Sequence, residues 1–154
     1  MHLRATEALA LARSKELPCT MIVLDIDHFK TINDTHGHAA GDAAIIRIAQ
    51  IARTGLRGEM DIVARIGGEE FAMLLYGADL AAGLAVAERL RTQIETMEVQ
   101  TGGRSFGLTV SFGVASAKPD STYETLLQSA DSALYRAKRA GRNQSIAEPA
   151  TEAA

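Results

Sequence analysis

A single cysteine, Cys19, is all the thiol chemistry this 154-residue chain has. That excludes an internal disulfide framework and a cysteine-based zinc site. Cys19 lies in an apolar run, where a buried, inert thiol is expected rather than a nucleophile. Aromatic residues are scarce at 5%, and alanine supplies much of the 47% hydrophobic content, so a helix-rich, closely packed core is expected. No uninterrupted apolar stretch approaches the roughly 20 residues that span a bilayer. Met1-His2-Leu3-Arg4 carries no secretory apolar region. A cytoplasmic segment without membrane contact is therefore expected. There is no basic excess either: 16 Lys+Arg against 19 Asp+Glu gives a net charge of −3, with no general pull toward nucleic acid. A strongly anionic ligand would need locally placed cations, a metal or backbone N–H groups. What remains is one soluble domain, since the length leaves no room for a second of usual size.

Hydrophobic spacing orders the elements. Leu3 to Leu17 reads as a helix ending near Pro18. Thr20 to Ile26 (TMIVLDI) is almost wholly apolar, as a central strand covered on both faces would be. Asp27 to Gly41 is polar and predicts a loop with a short helix. Ala39 to Arg53 has helical spacing. Ile62–Ile66 and Phe71–Leu75 flank Gly67-Gly68-Glu69-Glu70 as a hairpin. Asp79 is placed to cap a helix running to Met97. Gly102-Gly103 is a turn expected to add a small hairpin before a strand at Phe106–Ala115. Ser121 to Ala140 is a strongly amphipathic helix with Gly141 at its end. The order strand, helix, strand, strand, helix, strand is that of a split βαβ unit. The expected fold is α+β, an α/β sandwich with a mainly antiparallel central sheet flanked by helices. We divide it as 1–18 N-terminal helix, 19–148 domain and 149–154 disordered tail.

Three clusters could carry chemistry. Asp25 and Asp27 leave the most apolar strand, where a carboxylate needs a cationic partner. Either Mg2+ meets Asp25, or Asp25 or Asp27 caps the next helix. Gly67 and Gly68 permit positive φ and let a ligand approach the backbone. Glu69 and Glu70 beside them repel each other, which suits a metal site or a merely solvated acidic turn. Strand alternation would send their side chains to opposite faces. Lys138, Arg139 and Arg142 end the last helix, where they complement its dipole or bind phosphate. His28, His36 and His38 have no cysteine to join them in a zinc site.

Read together, these segments resemble a known family. GGEEF (67–71) resembles the signature of the GGDEF family, the diguanylate cyclases, in its Glu variant. DIDHFKTINDTHGHAAGD (25–42), ARIGGEEF (64–71), TVSFGVA (109–115) and ADSALYRAKRAGRN (130–143) resemble further family blocks in family order. The resemblance implies the nucleotidyl cyclase and polymerase palm fold. It also implies condensation of two GTP into cyclic di-GMP with release of two pyrophosphates, at the interface of two antiparallel domains. The homodimer is then needed for catalysis, with GTP as substrate and Mg2+ as cofactor (Mn2+ a possible substitute).

Carried over by position, Asp25, the carbonyl of Ile26 and Glu69 resemble the metal ligands, and Glu69 the acceptor of the 3′-hydroxyl proton. Glu70 matches a second required signature position, its role open between metal or substrate contact and local structure. Asn33 and Asp42 resemble the guanine readers, with His38 near the same pocket. Lys30, Lys138 and Arg142 resemble triphosphate ligands, aided by backbone N–H groups at Phe29 and Lys30 and by close approach at Gly68. Arg139 is expected to face solvent.

The sequence departs from the family at several places. The inhibitory product site, Arg-x-x-Asp, retains Asp61 but has Gly58 at the arginine position, and Arg57 is one residue off. Asp61 alone is expected not to support feedback inhibition. His36 stands where an aromatic is common, an expected tolerable change. The usual preceding Leu-Thr-Gly-Leu and Asn-Arg-Arg motifs are missing, so an N-terminal sensory or dimerising region is expected outside the chain. The alternative is a non-catalytic module that binds GTP or cyclic di-GMP and regulates a partner. A mononucleotide cyclase, which shares the core, is disfavoured by the guanine-reading pair and the GGEEF hairpin.

Overall fold

The computed structural model describes residues 1–149. The tail expected from 149 onward lies, beyond Pro149, outside the described residues. Seven strands and five helices follow in order: α1 (His2–Ser14), β1 (Cys19–Ile26), α2 (Phe29–His36), α3 (His38–Arg53), β2 (Ile62–Arg65), β3 (Glu70–Tyr76), α4 (Leu80–Thr96), β4 (Val99–Thr101), β5 (Arg104–Phe106), β6 (Val110–Ser116), α5 (Tyr123–Arg139) and β7 (Ser145–Ala147).

The main sheet has the order β2-β3-β1-β6-β7. β1 is its centre, antiparallel to both β3 and β6, as a βαββαβ chain requires. Every residue of β1 is buried because both faces of the strand are covered. Ile22, Leu24 and Ile26 pack against α3 and α4 on one face. Cys19, Met21 and Val23 pack against α1 and α5 on the other. The alternation is a direct consequence of the two-residue strand period.

The helices follow their sequence signals closely. Asp79 caps α4 by accepting from the Ala82 N–H at 2.8 Å. Thr122 and Thr125 form a capping box at the start of α5. Gly141 adopts φ +120 just beyond α5, where a left-handed residue stops the helix. The polar stretch after β1 holds more helix than expected. α2 and α3 are separated by Gly37 alone, whose φ of +91 breaks the backbone direction between them. Gly102 and Gly103, both at positive φ, turn the small β4–β5 hairpin. Phe106 therefore ends β5 instead of beginning the long strand, and β6 starts at Val110. β7 has no sequence signal of its own. It is a three-residue strand that pairs parallel to the edge of β6. No helix among the described residues is long and apolar enough to cross a membrane.

Candidate active site

Antiparallel pairing on both sides of β1 brings the site together at its C-terminal end. Asp25 lies across from Glu70 on one side and from Ser111 on the other. The Ile26 N–H donates to the Glu69 carbonyl at 3.3 Å, so the GGEE turn closes over the end of the strand. Directly opposed residues share a face, and Asp25 and Glu70 therefore both look toward α5. Lys138 in the last turn of α5 meets them, its Nζ 2.8 Å from Asp25 Oδ2.

Asp25 is only 6% exposed. Burial pushes its carboxyl above the usual range, Lys138 opposes the shift, and the charges of Glu69 and Asp27 add to it. Glu70 is also raised, first by burial and then by the charges of Asp25 and Asp131. Lys138 thus leaves an excess of negative charge around a partly desolvated pocket. The site attracts a cation.

Asp27 answers the alternatives differently from Asp25. Its Oδ1 accepts from Ser111 Oγ at 2.7 Å, and its Oδ2 accepts from Thr109 Oγ1 at 2.7 Å and from the Asn143 N–H at 3.0 Å. With both oxygens engaged, Asp27 fastens the end of β1 to β6 and to the turn after α5. Neither aspartate caps α2. The cap position is His28, at φ +54 and without a side-chain cap bond, and Lys30 in the first turn of α2 is exposed.

The two hairpin glycines do not use the positive φ that is open to them. Gly67 leaves room for Glu70: a Cβ there would lie 2.8 Å from Glu70 Oε2, the movable end of that side chain. At Gly68 a Cβ would meet nothing within 4 Å, so the backbone is open to approach from outside. Arg65 grips the turn from behind, donating to the Gly67 carbonyl at 3.2 Å and twice to the Gly68 carbonyl, at 3.0 and 2.7 Å.

A second group of expected residues lies on α2 and α3. A Cβ at Gly41 would overlap the Asn33 amide, so that glycine lets Asn33 lie directly against the α3 backbone, next to Asp42. Phe29 packs on the same spot, where its ring edge would be 3.2 Å from the added carbon. Asp42 and His38 are exposed on the first turns of α3. His36 stacks on Phe106, with ring centroids 4.5 Å apart and planes 13° from parallel. The imidazole thereby serves as the aromatic it replaces.

Arg142 follows Gly141 in a left-handed conformation, φ +64, and is exposed. Arg139 is exposed as well, its guanidinium 5.9 Å from the Tyr135 ring centroid. Asp61 lies elsewhere, at the far end of the β2–β3 hairpin. It is buried, accepting from the Tyr76 N–H at 2.8 Å and from the Arg57 N–H and Nε at 2.8 and 3.3 Å. Arg57 also donates to the Tyr76 carbonyl, so both side chains of the shifted pair are spent on structure.

Two contributors were not foreseen. Asp131 lies one heptad before Lys138 on α5, a spacing that puts both on one face and was legible in the sequence. Asn143 was seen only as part of a motif, since no local pattern announces its bond to Asp27.

Among the described residues, no three His, Cys, Asp or Glu side chains gather to hold an ion. A hard divalent cation such as Mg2+ needs only one or two carboxylates, with carbonyl and phosphate oxygens for the rest. The oxygen-rich end of β1 fits that requirement.

Comparison with known proteins agrees with this geometry. The family model described as "Diguanylate cyclase, GGDEF domain" matches residues 1–144. The chain belongs to the GGDEF family. It is 40% identical over 131 residues to diguanylate cyclase A of Treponema denticola, covering 84% of this chain and 35% of that protein. It is 45% identical over 124 residues to diguanylate cyclase DgcP of Pseudomonas aeruginosa, covering 80% of this chain and 18% of that one. The chain thus spans about a third or less of the length of these relatives. Among solved structures, the GGDEF domain of DgcB from Caulobacter crescentus, in complex with c-di-GMP, superimposes with a TM-score of 0.90 at 33% identity, covering 97% of this chain and 86% of that one.

Proposed function

We propose that this chain is a diguanylate cyclase domain that condenses two GTP molecules into cyclic di-GMP, releasing two pyrophosphates. The observation that carries the proposal is the convergence of Asp25, Glu69, Glu70 and Lys138 at one strand end, with the Asn33–Asp42 pair on neighbouring helices.

Asp42 and Asn33 bind guanine, whose N1–H and N2–H2 edge needs acceptors. A carboxylate there rejects adenine, which would leave it unpaired. Lys30, Lys138 and Arg142 bind the triphosphate, with the free N–H groups at the start of α2 beside Phe29 and Lys30. Gly68 lets the nucleotide approach the hairpin backbone, and His38 borders the base. Asp25, the Ile26 carbonyl and Glu69 hold Mg2+, or Mn2+ in its place. The ion supplies charge neutralisation at the phosphates and acidifies the attacking hydroxyl. Glu69 accepts the 3′-hydroxyl proton as the new P–O bond forms and pyrophosphate leaves. Glu70, facing Asp25, holds the shape and charge of the same pocket.

One domain binds one GTP, and each 3′-hydroxyl must attack the α-phosphate of the other. Two copies, arranged antiparallel, therefore complete the reaction. Asp61 plays no part in product inhibition, because it is buried and occupied in holding Tyr76 and Arg57.

The test is incubation with GTP and Mg2+ followed by chromatographic separation of the products. Cyclic di-GMP that disappears with Glu69→Ala supports the proposal. Bound but unconverted GTP at high protein concentration would make the domain a regulatory binding module, and cyclic GMP would make it a mononucleotide cyclase.

A further inference from the structure

The chain leaves α5 through Gly141, Arg142 and Asn143, at φ +120, +64 and +46. Arg142 has a Cβ that makes the left-handed region unfavourable, whereas Asn143 is one of the few residue types that tolerate it. Something must hold the turn, and the contacts of Asn143 show what does. Its N–H donates to Asp27 Oδ2 at 3.0 Å, its Oδ1 accepts from Arg91 Nη1 at 3.1 Å, and its Nδ2 donates to Glu95 Oε1 at 3.1 Å. Arg91 is itself fixed on α4: Nε and Nη2 donate to the Glu88 carboxylate, and Nη1 donates to Glu95 at 3.0 Å. Its side chain is 18% exposed, so this network is partly shielded from water. Asp27 is 4% exposed and lies two residues beyond Asp25. One carboxylate thereby ties the end of β1 to the turn that displays Arg142, while Asn143 ties that turn to α4.

We propose that Asn143 and Arg91 are positioning residues for phosphate recognition: they hold the turn after α5, and with it Arg142, in a fixed place relative to the end of β1. The inference rests on the reading of Arg142 as a triphosphate ligand. Neither residue touches the nucleotide. Their effect passes through Arg142, and a planar, forked donor is what spans Glu88, Glu95 and Asn143 at once.

The test is calorimetric binding of 3′-deoxy-GTP with Mg2+, a ligand without the attacking hydroxyl, alongside KM and kcat for GTP. Asn143→Gly keeps the left-handed turn and its N–H but removes both side-chain ties to α4. Arg91→Lys keeps the charge and loses the fork, and serves as the second variant if the first folds poorly. Arg142→Ala is expected to weaken binding roughly tenfold or more, as for a charge-assisted phosphate contact. Each positioning variant is expected to weaken it about fivefold, raising KM with kcat little changed. In the Arg142→Ala background those variants should add nothing. Effects that multiply with Arg142→Ala, or positioning variants that bind as tightly as wild type, would overturn the anchoring role alone. An Arg142→Ala protein that binds like wild type would overturn the phosphate assignment, and this inference with it.

Discussion

Lys138 Nζ and Asp25 Oδ2 lie 2.8 Å apart where β1 leaves the core. The pair joins a nearly buried carboxylate to the last turn of α5, and both partners are assigned to ligand binding. Without ligand, the ammonium is what offsets the crowded acids. Lys138→Met should therefore cost about 2 kcal/mol at pH 7, because it strands a buried charge. Urea unfolding without divalent ions checks the loss, and Mg2+ should restore part of it.

Asp25→Asn should act in the opposite direction. The folded state raises the Asp25 carboxyl, so its contribution is most favourable below the ordinary carboxylate range and is lost as pH rises through the folded value. Wild-type stability should thus decline from acid toward neutral pH more steeply than that of Asp25→Asn. At pH 7 without metal, the variant should melt a few degrees higher, for a gain of ~1 kcal/mol. Its melting temperature should also lose any response to Mg2+. A lower melting temperature across the whole range would refute this view of the site as a store of unfavourable charge.

Gly41 separates structure from recognition. An added Cβ meets the end of the Asn33 side chain, which can swing away. Gly41→Ala should cost ~1 kcal/mol or less of stability, yet raise the KM for GTP about tenfold as Asn33 leaves the guanine edge. Paired melting curves and steady-state kinetics give the answer, and an unchanged KM would remove Asn33 from the guanine site.

Cys19 predicts a feature at alkaline pH. Burial, then the charge of Asp61, raises its thiol from 9.0 to about 11. The neutral thiol is favoured in the fold, so this contribution is fully present below the unfolded value of 9.0 and lost as pH rises through about 11. Between these values the wild type should lose about 3 kcal/mol more than Cys19→Ala does. Parallel curves for the two proteins would contradict the assignment. The same burial should keep the thiol inert to alkylation until the chain unfolds.

Asp61 is a structural acceptor here. Asp61→Ala removes the buried acceptor of the half-buried Tyr76 and Arg57 N–H groups and should cost about 2 kcal/mol. Sensitivity to cyclic di-GMP should not change. Tight, saturable binding of cyclic di-GMP to the Mg2+-free protein that vanished in Asp61→Ala would restore the inhibitory site.

The strength of the apolar patterns decided how much could be read in advance. TMIVLDI could only be a central strand, and the period of α5 named its buried face. The GGEE turn was visible, but the reason for its glycines was not: whether Gly67 serves a positive φ or makes room for Glu70 depends on where a folded side chain rests. β7 exists because β6 has an open edge. The sequence singles out Asp25, but nothing in it shows that Thr109, Ser111 and Asn143, distant in the chain, claim the oxygens of Asp27. Local spacing cannot carry such long-range polar bonds, whereas motifs that recur as blocks single out the acidic residues and the pair proposed to read guanine.

The account centres on two copies of the chain joining two GTP molecules. Its most direct test is the initial rate of cyclic di-GMP formation, with saturating GTP and Mg2+, as protein concentration is varied. The rate should climb as the square of concentration while the protein is mostly monomeric, and become linear once dimers predominate. Glu69→Ala should abolish it throughout. Absence of cyclic di-GMP at every concentration, or formation that survives Glu69→Ala, would contradict the account.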